Sequence, residues 1–454
     1  MNASFSFWIE TMGCQMNLND SELLVGILTQ QGGIQVAQPE DADVAIVNTC
    51  AVRQKAEDKV YGMLGRLFGI RRKARENHTG QGLRIGVGGC VADKEKEALF
   101  RHKGVDFVFG TRALMNVPSL VQRALGGERK IMDFSDTLDQ VTASVPRIRQ
   151  GNSHAWVTIM YGCDKFCSYC IVPYTRHREK SRPMDDVLQE VRGLAEKGYR
   201  EVTLLGQNVD SYGKDFPGGR PSFAELLREV GKVDGLERIW FLTSYPSDFS
   251  LDIVDVMAAN PRFAPQIHLP VQAGSDRILK AMNRRYTRSE YLDLVDGIRS
   301  RLPEVSLSSD VIVGFPGESA EDFEQTVALV RQVRYERLNL AMYSVRLGTV
   351  AAKTMRDDVA PGEKNRRLQV LLALQKQINR ELNEQYLGKR VQVIGESFLQ
   401  RDPTLMYGRT GHNKIVIFPG KPEQLGNPVE VEIHRVTAGP LYGQVVELPV
   451  PEEC

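Results

Sequence analysis

Three cysteines stand close together in the middle of the chain, with the spacing C-x3-C-x2-C at Cys163, Cys167 and Cys170. They directly follow the apolar run WVTIMYG. Three thiolates on one short loop can hold three irons of a four-iron cluster and leave the fourth iron without a protein ligand. An open metal position is where a substrate or cofactor binds. The spacing therefore predicts a reactive iron–sulfur site.

Two other interpretations of these cysteines are open. One is a structural zinc site with His154 or His177 as the fourth ligand, and the other is three unrelated buried thiols. Zinc modules usually pair two C-x2-C units, whereas this region holds one such unit. The iron–sulfur interpretation is therefore favoured.

A second set of cysteines is dispersed, but its members share a position. Cys14, Cys50 and Cys90 each follow a strand-like run, namely SFWIETMG, DVAIVNT and LRIGVGG. The carboxyl ends of parallel strands gather at one edge of a sheet, so these thiols can meet there. The alternative is three small buried hydrophobic residues, but the repeated position favours a second three-thiolate cluster. The seventh cysteine, Cys454, is predicted to be a free, incidental thiol.

The first third of the chain must position the dispersed set. Short apolar runs alternate with amphipathic stretches of helical period, which is typical of a parallel α/β layer. We predict a doubly wound parallel α/β domain over residues 1–145. The predicted strands are 6–11, 44–48, 83–87 and 105–109, and the predicted helices are 21–31, 56–75 and 117–125. Residues 133–152 lose the periodicity, which predicts a linker.

A second alternation of strands and helices begins at Trp156 and positions the clustered cysteines. Six β/α units over about 190 residues predict a partial (β/α)6 barrel in a domain spanning 146–382. We expect its reactive end at the loops that follow the strands, where the C-x3-C-x2-C run stands. The predicted strands are 156–161, 202–206, 239–243, 266–270, 306–313 and 338–343.

The last part of the chain changes character after a predicted helical connector at 362–387. Alternating runs at 390–394, 414–418, 429–433 and 441–446 are separated by Gly, Pro and Asn. This pattern predicts a small C-terminal all-β barrel in a domain spanning 383–449.

The composition excludes several broad classes of protein. The 454 residues include 58 Lys and Arg against 57 Asp and Glu, a net charge of +1, so a wholesale cationic coat for polyanions is excluded. No signal peptide and no run of 18 apolar residues is evident. The odd number of cysteines, 7, argues against a disulfide framework. We predict a cytoplasmic protein with reduced thiols and no membrane association.

The run Gly86-Val87-Gly88-Gly89 follows a predicted strand but does not match a dinucleotide-binding fingerprint. Val91 stands where the third glycine would be, and a cysteine occupies the turn. We therefore predict no nucleotide site there.

Four runs carry a resemblance to a known family. They are TMGCQMNLNDSE (11–22), CDKFCSYCIVPYTRHREKSRP (163–183), HLPVQAGSDRILKAMNRRYT (268–287) and SSDVIVGFPGE (308–318). With the order of the three domains, they resemble the radical S-adenosylmethionine (SAM) methylthiotransferases, in which a radical SAM barrel is followed by a TRAM domain. The runs GCQMN and REKSRP are similar to the tRNA branch, which converts N6-isopentenyladenosine beside the anticodon to its 2-methylthio derivative.

The resemblance implies cofactors and partners. Cys163, Cys167 and Cys170 would hold the 4Fe-4S cluster that cleaves SAM, and Cys14, Cys50 and Cys90 would hold an auxiliary 4Fe-4S cluster that supplies sulfur. One SAM would donate a methyl group and a second would furnish the radical that activates C2 of the adenine. Implied partners are tRNA, an electron donor such as a flavodoxin or ferredoxin, and a cluster-assembly carrier. We expect a monomer.

The chain departs from the family pattern at two places. His177 stands where the family usually has Gly, and Val345 and Leu347 stand in a run where the family commonly has prolines. All six cysteines are intact.

Other contacts are predicted from position alone. Gln207, Gln272, Ser275 and Arg346 follow predicted strands, so we take them as candidate residues for binding SAM or substrate. The alternatives for function are a sibling methylthiotransferase acting on threonylcarbamoyl-adenosine or on a ribosomal protein, and a non-catalytic iron–sulfur sensor that binds RNA.

A tRNA enzyme should display local clusters of cations even when its net charge is small. The run after Cys170 is the strongest candidate, because chain connectivity holds it near the open iron; the alternative for any cation is a solvated surface face. The candidates are Arg71, Arg72, Lys73, Arg75, Arg176, His177, Arg178, Lys180, Arg182, Arg284 and Arg285.

The terminal barrel is not strongly basic. Residues 388–454 carry seven basic and eight acidic side chains, so a cationic clamp is a poor account of it. A one-sided RNA face is predicted from Arg401, Tyr407, Arg409, His412, Lys414 and Phe418. On this view, removal of 388–454 is expected to cost tRNA affinity and to spare SAM cleavage.

Overall fold

The computed structural model describes residues 4–51, 54–76, 82–102, 104–149, 151 and 153–446. Cys454 lies outside these residues. Within them, no helix is long and apolar enough to cross a membrane.

The first part of the chain forms one six-stranded parallel sheet, in the spatial order β2-β1-β3-β4-β5-β6. Its strands are β1 Phe5–Thr11, β2 Gly33–Gln35, β3 Val44–Thr49, β4 Arg84–Gly89, β5 Phe107–Phe109 and β6 Ile131–Asp133. Its helices are α1 Gln15–Gln30, α2 Gln54–Glu76, α3 Cys90–Glu95 and α4 Val117–Leu125.

Helices cover both faces of this sheet. Helices α1 and α4 pack with Phe7, Ile46 and Phe107 in one apolar core, and α2 and α3 pack with Val47 and Val87 in another. The doubly wound α/β prediction is therefore confirmed. The strand order reverses between β1 and β3, which places a topological switch point there.

The predicted linker is better ordered than expected. Asp133 ends strand β6, and the chain after it crosses α1 closely, with the backbone N–H of Ile148 donating to the carbonyl of Glu22 at 3.1 Å. The strands β2 and β6 were not predicted, because each buries only one of its three residues and so shows no apolar run, unlike the equally short but fully buried β5.

The middle of the chain forms a partial barrel of six parallel strands in two sheets, β7-β10-β11 and β12-β13-β14. A parallel bridge from Ile239 to Phe263 joins the sheets. The strands of this region are β7 His154–Thr158, β8 Met160–Tyr161, β9 Lys180–Ser181, β10 Glu201–Leu205, β11 Arg238–Phe241, β12 Gln266–His268, β13 Ser306–Val313 and β14 Arg337–Met342. Its helices are α5 Val172–Thr175, α6 Met184–Glu196, α7 Phe223–Val230, α8 Leu251–Ala259, α9 Asp276–Ala281, α10 Arg288–Arg301, α11 Ala320–Val333, α12 Val350–Thr354 and α13 Pro361–Glu384.

The barrel is open, because β7 and β14 do not pair with each other in the described part of the chain. Helix α1 of the first domain lies against the edge strand β7. The buried Asn19 amide donates to the carbonyl of Trp156 at 3.0 Å and accepts from the Thr158 hydroxyl at 2.9 Å. These bonds satisfy a strand edge that would otherwise be unpaired.

The end of the chain forms a closed five-stranded barrel in the order β15-β16-β17-β19-β18, which confirms the all-β prediction. Its strands are β15 Arg390–Leu399, β16 Asp402–Arg409, β17 Ile415–Pro419, β18 Pro428–Arg435 and β19 Leu441–Val445. Strand β16 was not predicted. This barrel packs on the amino ends of the central strands, where Arg238 donates to the carbonyl of Arg409 at 3.0 Å and Lys414 pairs with Glu336.

Candidate iron–sulfur active site

The dispersed cysteines come together at the carboxyl edge of the first sheet. Cys14 caps the start of α1, Cys50 follows β3, and Cys90 begins α3 after β4. The thiols of Cys14 and Cys50 are hydrogen-bonded, and Cys90 is close enough for the charge of Cys14 to act on it. Cys14 lies at the exposed rim, whereas Cys50 and Cys90 are buried.

An asparagine network fixes the strand ends that carry these cysteines. The buried Asn17 amide donates to Asn48 Oδ1 at 3.2 Å and to the carbonyl of Thr49 at 3.0 Å. Asn48 returns a bond to the carbonyl of Asn17 at 2.9 Å. A Cβ at Gly13 would lie 2.4 Å from Asn17 Oδ1, so the run GCQMN requires glycine before the cysteine.

The thiols of this set differ in protonation. The hydrogen bond from Cys50 and the positive charge of Arg176 lower the pKa of Cys14 to about 5. Desolvation acts in the opposite direction and raises the pKa of Cys14, because protein surrounds most of the thiol although one side is open to solvent. The two lowering effects together are larger. Burial raises the pKa of Cys90. Cys14 is therefore a thiolate at neutral pH, the form that binds iron.

The clustered cysteines lie on a loop between β8 and α5 that is held at several points. The backbone N–H of Cys163 donates to the carbonyl of His177 at 3.1 Å, and that of Ser168 donates to Met282 at 2.9 Å. Gln207 Oε1 accepts from the N–H of Gly162 at 2.5 Å. Backbone contacts with the surrounding protein therefore fix the shape of the loop.

A buried arginine contacts this second set. Arg284 Nη1 lies 3.5 Å from Cys167 Sγ, its Nη2 donates to the carbonyl of Pro270 at 2.6 Å, and the guanidinium lies 4.3 Å from the ring centroid of Tyr245. Burial raises the pKa of Cys163 and raises that of Cys170 to about 12. Binding of iron would therefore displace protons from this set.

The two histidines proposed as a fourth zinc ligand have other hydrogen-bond partners. Among the described residues, no three His, Cys, Asp or Glu side chains are arranged to hold one metal ion. Neither proposed zinc-completing histidine turns toward the thiols: His154 starts β7 and bonds Thr203 Oγ1 at 2.8 Å, and His177 bonds Asp93 Oδ1 at 3.1 Å. A set of three cysteines without a fourth protein ligand fits a four-iron cluster with one open iron better than a structural zinc site.

The two cysteine sets flank one interface between the first and second domains. Ile171, next to Cys170, packs in the same apolar core as Cys90 and Ala51. Arg346 Nη1 donates to the carbonyl of Ala51 at 2.9 Å, and its charge also acts on Cys170. These contacts bring neighbours of both sets to the same interface.

The other predicted contact residues have structural partners. Gln272 is buried with a left-handed φ of 72°, and its backbone bonds β13 at Asp310 and Ile312. Ser275 donates to Asp322 Oδ1 at 2.5 Å. Gln207 orients the cluster loop and Arg346 joins the two domains, as described above. Whether any of the four contacts SAM stays a prediction.

Much of the predicted cationic RNA surface is wrong, because four of its arginines are buried. Arg71 pairs with Asp106, Arg182 with Asp186 and Glu190, Arg284 lies against Cys167, and Arg176 lies beside Asp20. Four of the remaining cations are exposed, namely Arg72, Lys73, Arg178 and Arg285. His177 and Lys180 are half-buried. The side chain of Arg75 lies outside the described structure.

The predicted RNA face of the terminal barrel is wrong for two of its six members, Phe418 and Lys414. Phe418 belongs to the core, Lys414 is buried against Glu336, and Tyr407 and Arg409 face a cavity. His412 is half-buried, and Arg401 is exposed. Residues that alternate along a closed barrel point inward and outward in turn, and here part of the outer surface covers the central barrel.

The cavity lies inside the open barrel, between α1 and the terminal barrel, and has a volume of about 610 Å³. Aromatic and cationic side chains contribute to its lining, among them Trp156, Trp240, Tyr407, Arg337 and Arg409. Gln15, adjacent to Cys14, lies at its rim.

Family comparisons divide the chain in the same order as the fold. Residues 6–110 match the uncharacterized protein family UPF0004, residues 157–330 match the radical SAM superfamily, and residues 384–446 match the TRAM domain.

Solved structures share the fold of the larger part. The radical S-adenosylmethionine methyltransferase TsrM from Kitasatospora setae, solved with cobalamin and a 4Fe-4S cluster, aligns with a TM-score of 0.57 at 14% identity over 77% of this chain and 74% of that one. The cobalamin-dependent radical enzyme OxsB aligns with a TM-score of 0.54 at 11% identity over 77% of this chain and 55% of that one. These likenesses support the partial-barrel fold alone.

Curated relatives match over nearly the whole length. A tRNA-2-methylthio-N(6)-dimethylallyladenosine synthase of Thermotoga petrophila is 56% identical over 98% of both chains. Synthases of the same name from Petrotoga mobilis and Carboxydothermus hydrogenoformans are 49% and 47% identical, each over 97% of this chain and over 99% and 98% of theirs. The chain therefore belongs to the family of tRNA-2-methylthio-N(6)-dimethylallyladenosine synthases.

Proposed function

We propose that this protein adds a methylthio group to C2 of N6-isopentenyladenosine next to the anticodon of tRNA. The observation that carries the proposal is the meeting of two three-cysteine sets at one domain interface, in a chain whose curated relatives bear that activity in their names. The sibling substrates, threonylcarbamoyl-adenosine and a ribosomal protein, are disfavoured by those names.

Each cysteine set would hold one cluster. Cys163, Cys167 and Cys170 would ligate the 4Fe-4S cluster that binds SAM, and Cys14, Cys50 and Cys90 would ligate the auxiliary 4Fe-4S cluster. When bound, these groups and two molecules of SAM would supply an electron, a methyl group and sulfur, leaving 5′-deoxyadenosine, methionine and S-adenosylhomocysteine. The buried arginines fit this role, because Arg176 places positive charge beside the first-domain set and Arg284 lies against Cys167 of the other.

The partners follow from the same chemistry. The tRNA substrate agrees with the TRAM match, and the exposed Arg178 and Arg285 are candidate phosphate contacts near the interface. A low-potential donor such as a flavodoxin or ferredoxin would reduce the SAM-binding cluster, and a carrier protein would rebuild the auxiliary one. The enzyme would act in the cytoplasm as a monomer.

The activity is tested with anaerobically reconstituted protein, dithionite, SAM and bulk tRNA from a strain that lacks the modification. Nucleoside mass spectrometry should detect 2-methylthio-N6-isopentenyladenosine. A product on threonylcarbamoyl-adenosine would identify the sibling activity, and an absence of 5′-deoxyadenosine would identify the non-catalytic sensor.

Cys50→Ala separates the two clusters. This variant should still release 5′-deoxyadenosine from SAM but should form no methylthio product, because only the auxiliary set loses a ligand. Cys454→Ala is the matched control and should behave as the unaltered protein. Unchanged methylthiolation by Cys50→Ala would refute the assignment of the auxiliary set.

A further inference from the structure

Arg176 carries a positive charge from the second domain into the cysteine set of the first. It follows α5, six residues after Cys170. Its backbone N–H donates to Val172 at 2.7 Å and its carbonyl accepts from Arg112 Nη2 at 3.3 Å, so both sides of the peptide are fixed. The side chain is 4% exposed.

The guanidinium has close neighbours but spare hydrogen-bonding capacity. Nη1 lies 2.8 Å from Asp20 Oδ2, and the charge of Arg176 acts on the thiols of both Cys14 and Cys90. The guanidinium is also hydrogen-bonded to the thiol of Cys90, yet Nη1 and Nη2 are both buried and neither has a partner in ideal geometry. Burying N–H groups without well-aligned acceptors is unfavourable, so these donors point to a further acceptor at this site.

A bound cluster offers the acceptors that these donors lack. Its sulfide and thiolate sulfurs accept N–H···S bonds, and three thiolates leave an oxidised four-iron cluster with net negative charge. A nearby cation and N–H···S bonds both favour the reduced cluster, and therefore raise its reduction potential. Asp20 anchors the guanidinium from the other side.

We propose that Arg176 is a positioning residue for the auxiliary cluster, to which it donates N–H···S hydrogen bonds and whose negative charge it compensates across the domain interface. The proposal rests on the proposed function, since it requires that Cys14, Cys50 and Cys90 hold a cluster. It makes the auxiliary site a joint product of two domains: the first supplies the ligands and the second supplies the counter-charge.

The test uses the full chain carrying Cys163→Ala, Cys167→Ala and Cys170→Ala, which leaves the auxiliary cluster as the only one. A redox titration followed by electron paramagnetic resonance measures its midpoint potential. Arg176→Gln should shift the potential to a more negative value, and Arg176→Lys, which keeps the charge but not the forked donors, should shift it less.

The matched control is Arg71→Gln. Arg71 is a buried, ion-paired arginine of the first domain, and it contacts Leu83 and Asp106 near the amino end of the sheet, away from the cysteines. Arg71→Gln should lower the melting temperature and leave the potential unchanged. An unshifted potential in a loaded Arg176→Gln protein would overturn the proposal alone.

Failure to load also decides the question. The proposal is supported if Arg176→Gln loses iron and Arg176→Lys retains it. It is also supported if both variants lose iron but their melting temperatures are no lower than that of Arg71→Gln. Loss from both with a larger fall in melting temperature overturns it in favour of a purely structural role. A triple-alanine parent that binds no iron would overturn the auxiliary site and the proposed function as well.

Discussion

His177 contacts the loop of clustered cysteines through its backbone and the first domain through its side chain, although its backbone is in a strained conformation. Its φ is 62°, in the left-handed region, and its carbonyl accepts the N–H of Cys163 at 3.1 Å. Its ring lies 3.1 Å from Oδ1 of the buried Asp93, whose other oxygen accepts the N–H of Thr111 at 2.6 Å. The left-handed backbone explains why glycine is usual here, and the Asp93 contact explains what the histidine offers instead.

Two substitutions separate these effects. His177→Gly removes one hydrogen bond but also removes left-handed strain, so we expect the free energy of unfolding to stay within about 1 kcal/mol. His177→Val loses the bond and keeps a branched side chain at positive φ, which should cost about 1–2 kcal/mol more than the glycine variant. Urea unfolding of the metal-free proteins measures both. Equal stability of the two variants would show that the backbone strain is negligible.

At the scale of single residues, sequence reasoning identified the cysteines but misjudged the arginines. The cysteine positions follow from spacing and from the shared place after a strand. The run from Arg176 to Arg182 reads as one cationic surface, yet Arg176 and Arg182 are buried and Arg178 is exposed. That difference in burial arises because helix α5 is a single turn, after which the chain reverses direction between the two domains. A run of charged residues in the sequence does not indicate such a reversal.

Among the elements, strand β4 ends directly before Cys90, and its glycines have a packing role. The rings of Phe107 and Phe109 on β5 lie directly over Gly86 and Gly88. A Cβ at Gly88 would lie 2.1 Å from Phe109 Cζ, closer than any real contact. The GVGG run thus accommodates two aromatic rings.

Gly88→Ala should destabilise the first domain by about 1–3 kcal/mol or more, because the added methyl group overpacks the sheet two residues before Cys90. Iron content after reconstitution should fall with it. Gly62→Ala is the matched control: Gly62 lies on the exposed side of α2 with no atom within 4 Å of an added Cβ. That change should stabilise by about 0.5–1 kcal/mol. Denaturant titration measures the free energy of unfolding, and an iron assay measures the loading. Equal values of both for the two variants would contradict the packing argument.

Elements with strong, long periodicity were the ones predicted accurately. Strand β13 and helix α4 have the bounds expected from their sequences. The predicted strand 156–161 is instead broken after Thr158, because the chain must leave the sheet to form the cluster loop. Strand β16 was missed because its run DPTLMYGR begins with turn-forming residues and alternates only weakly.

For the whole molecule, the arrangement of the three parts was not predictable from sequence. Periodicity describes each sheet separately, but the contacts that join the sheets are single long-range bonds. Arg149, for example, bonds Glu22 of α1 at 2.9 Å and Glu190 of α6 at 2.6 Å. The terminal barrel likewise covers the amino end of the central barrel. It is therefore packed against the radical SAM domain and is also a candidate RNA-binding module.

Removal of residues 388–454 should therefore do more than reduce tRNA affinity. The truncation would remove the ion pair between Lys414 and Glu336 and the hydrogen bond from Arg238 to the Arg409 carbonyl. It would also open the cavity that Tyr407 and Arg409 line. Each buried polar group left unpaired costs about 1–3 kcal/mol, so the melting temperature and the tRNA-independent cleavage of SAM should both fall. In the full chain, Lys414→Met should lower the melting temperature alone, and Arg401→Ala, an exposed cation, should weaken tRNA binding alone. A truncated protein with unaltered stability and SAM cleavage would instead show that the terminal barrel is an independent appendage, as its sequence suggests.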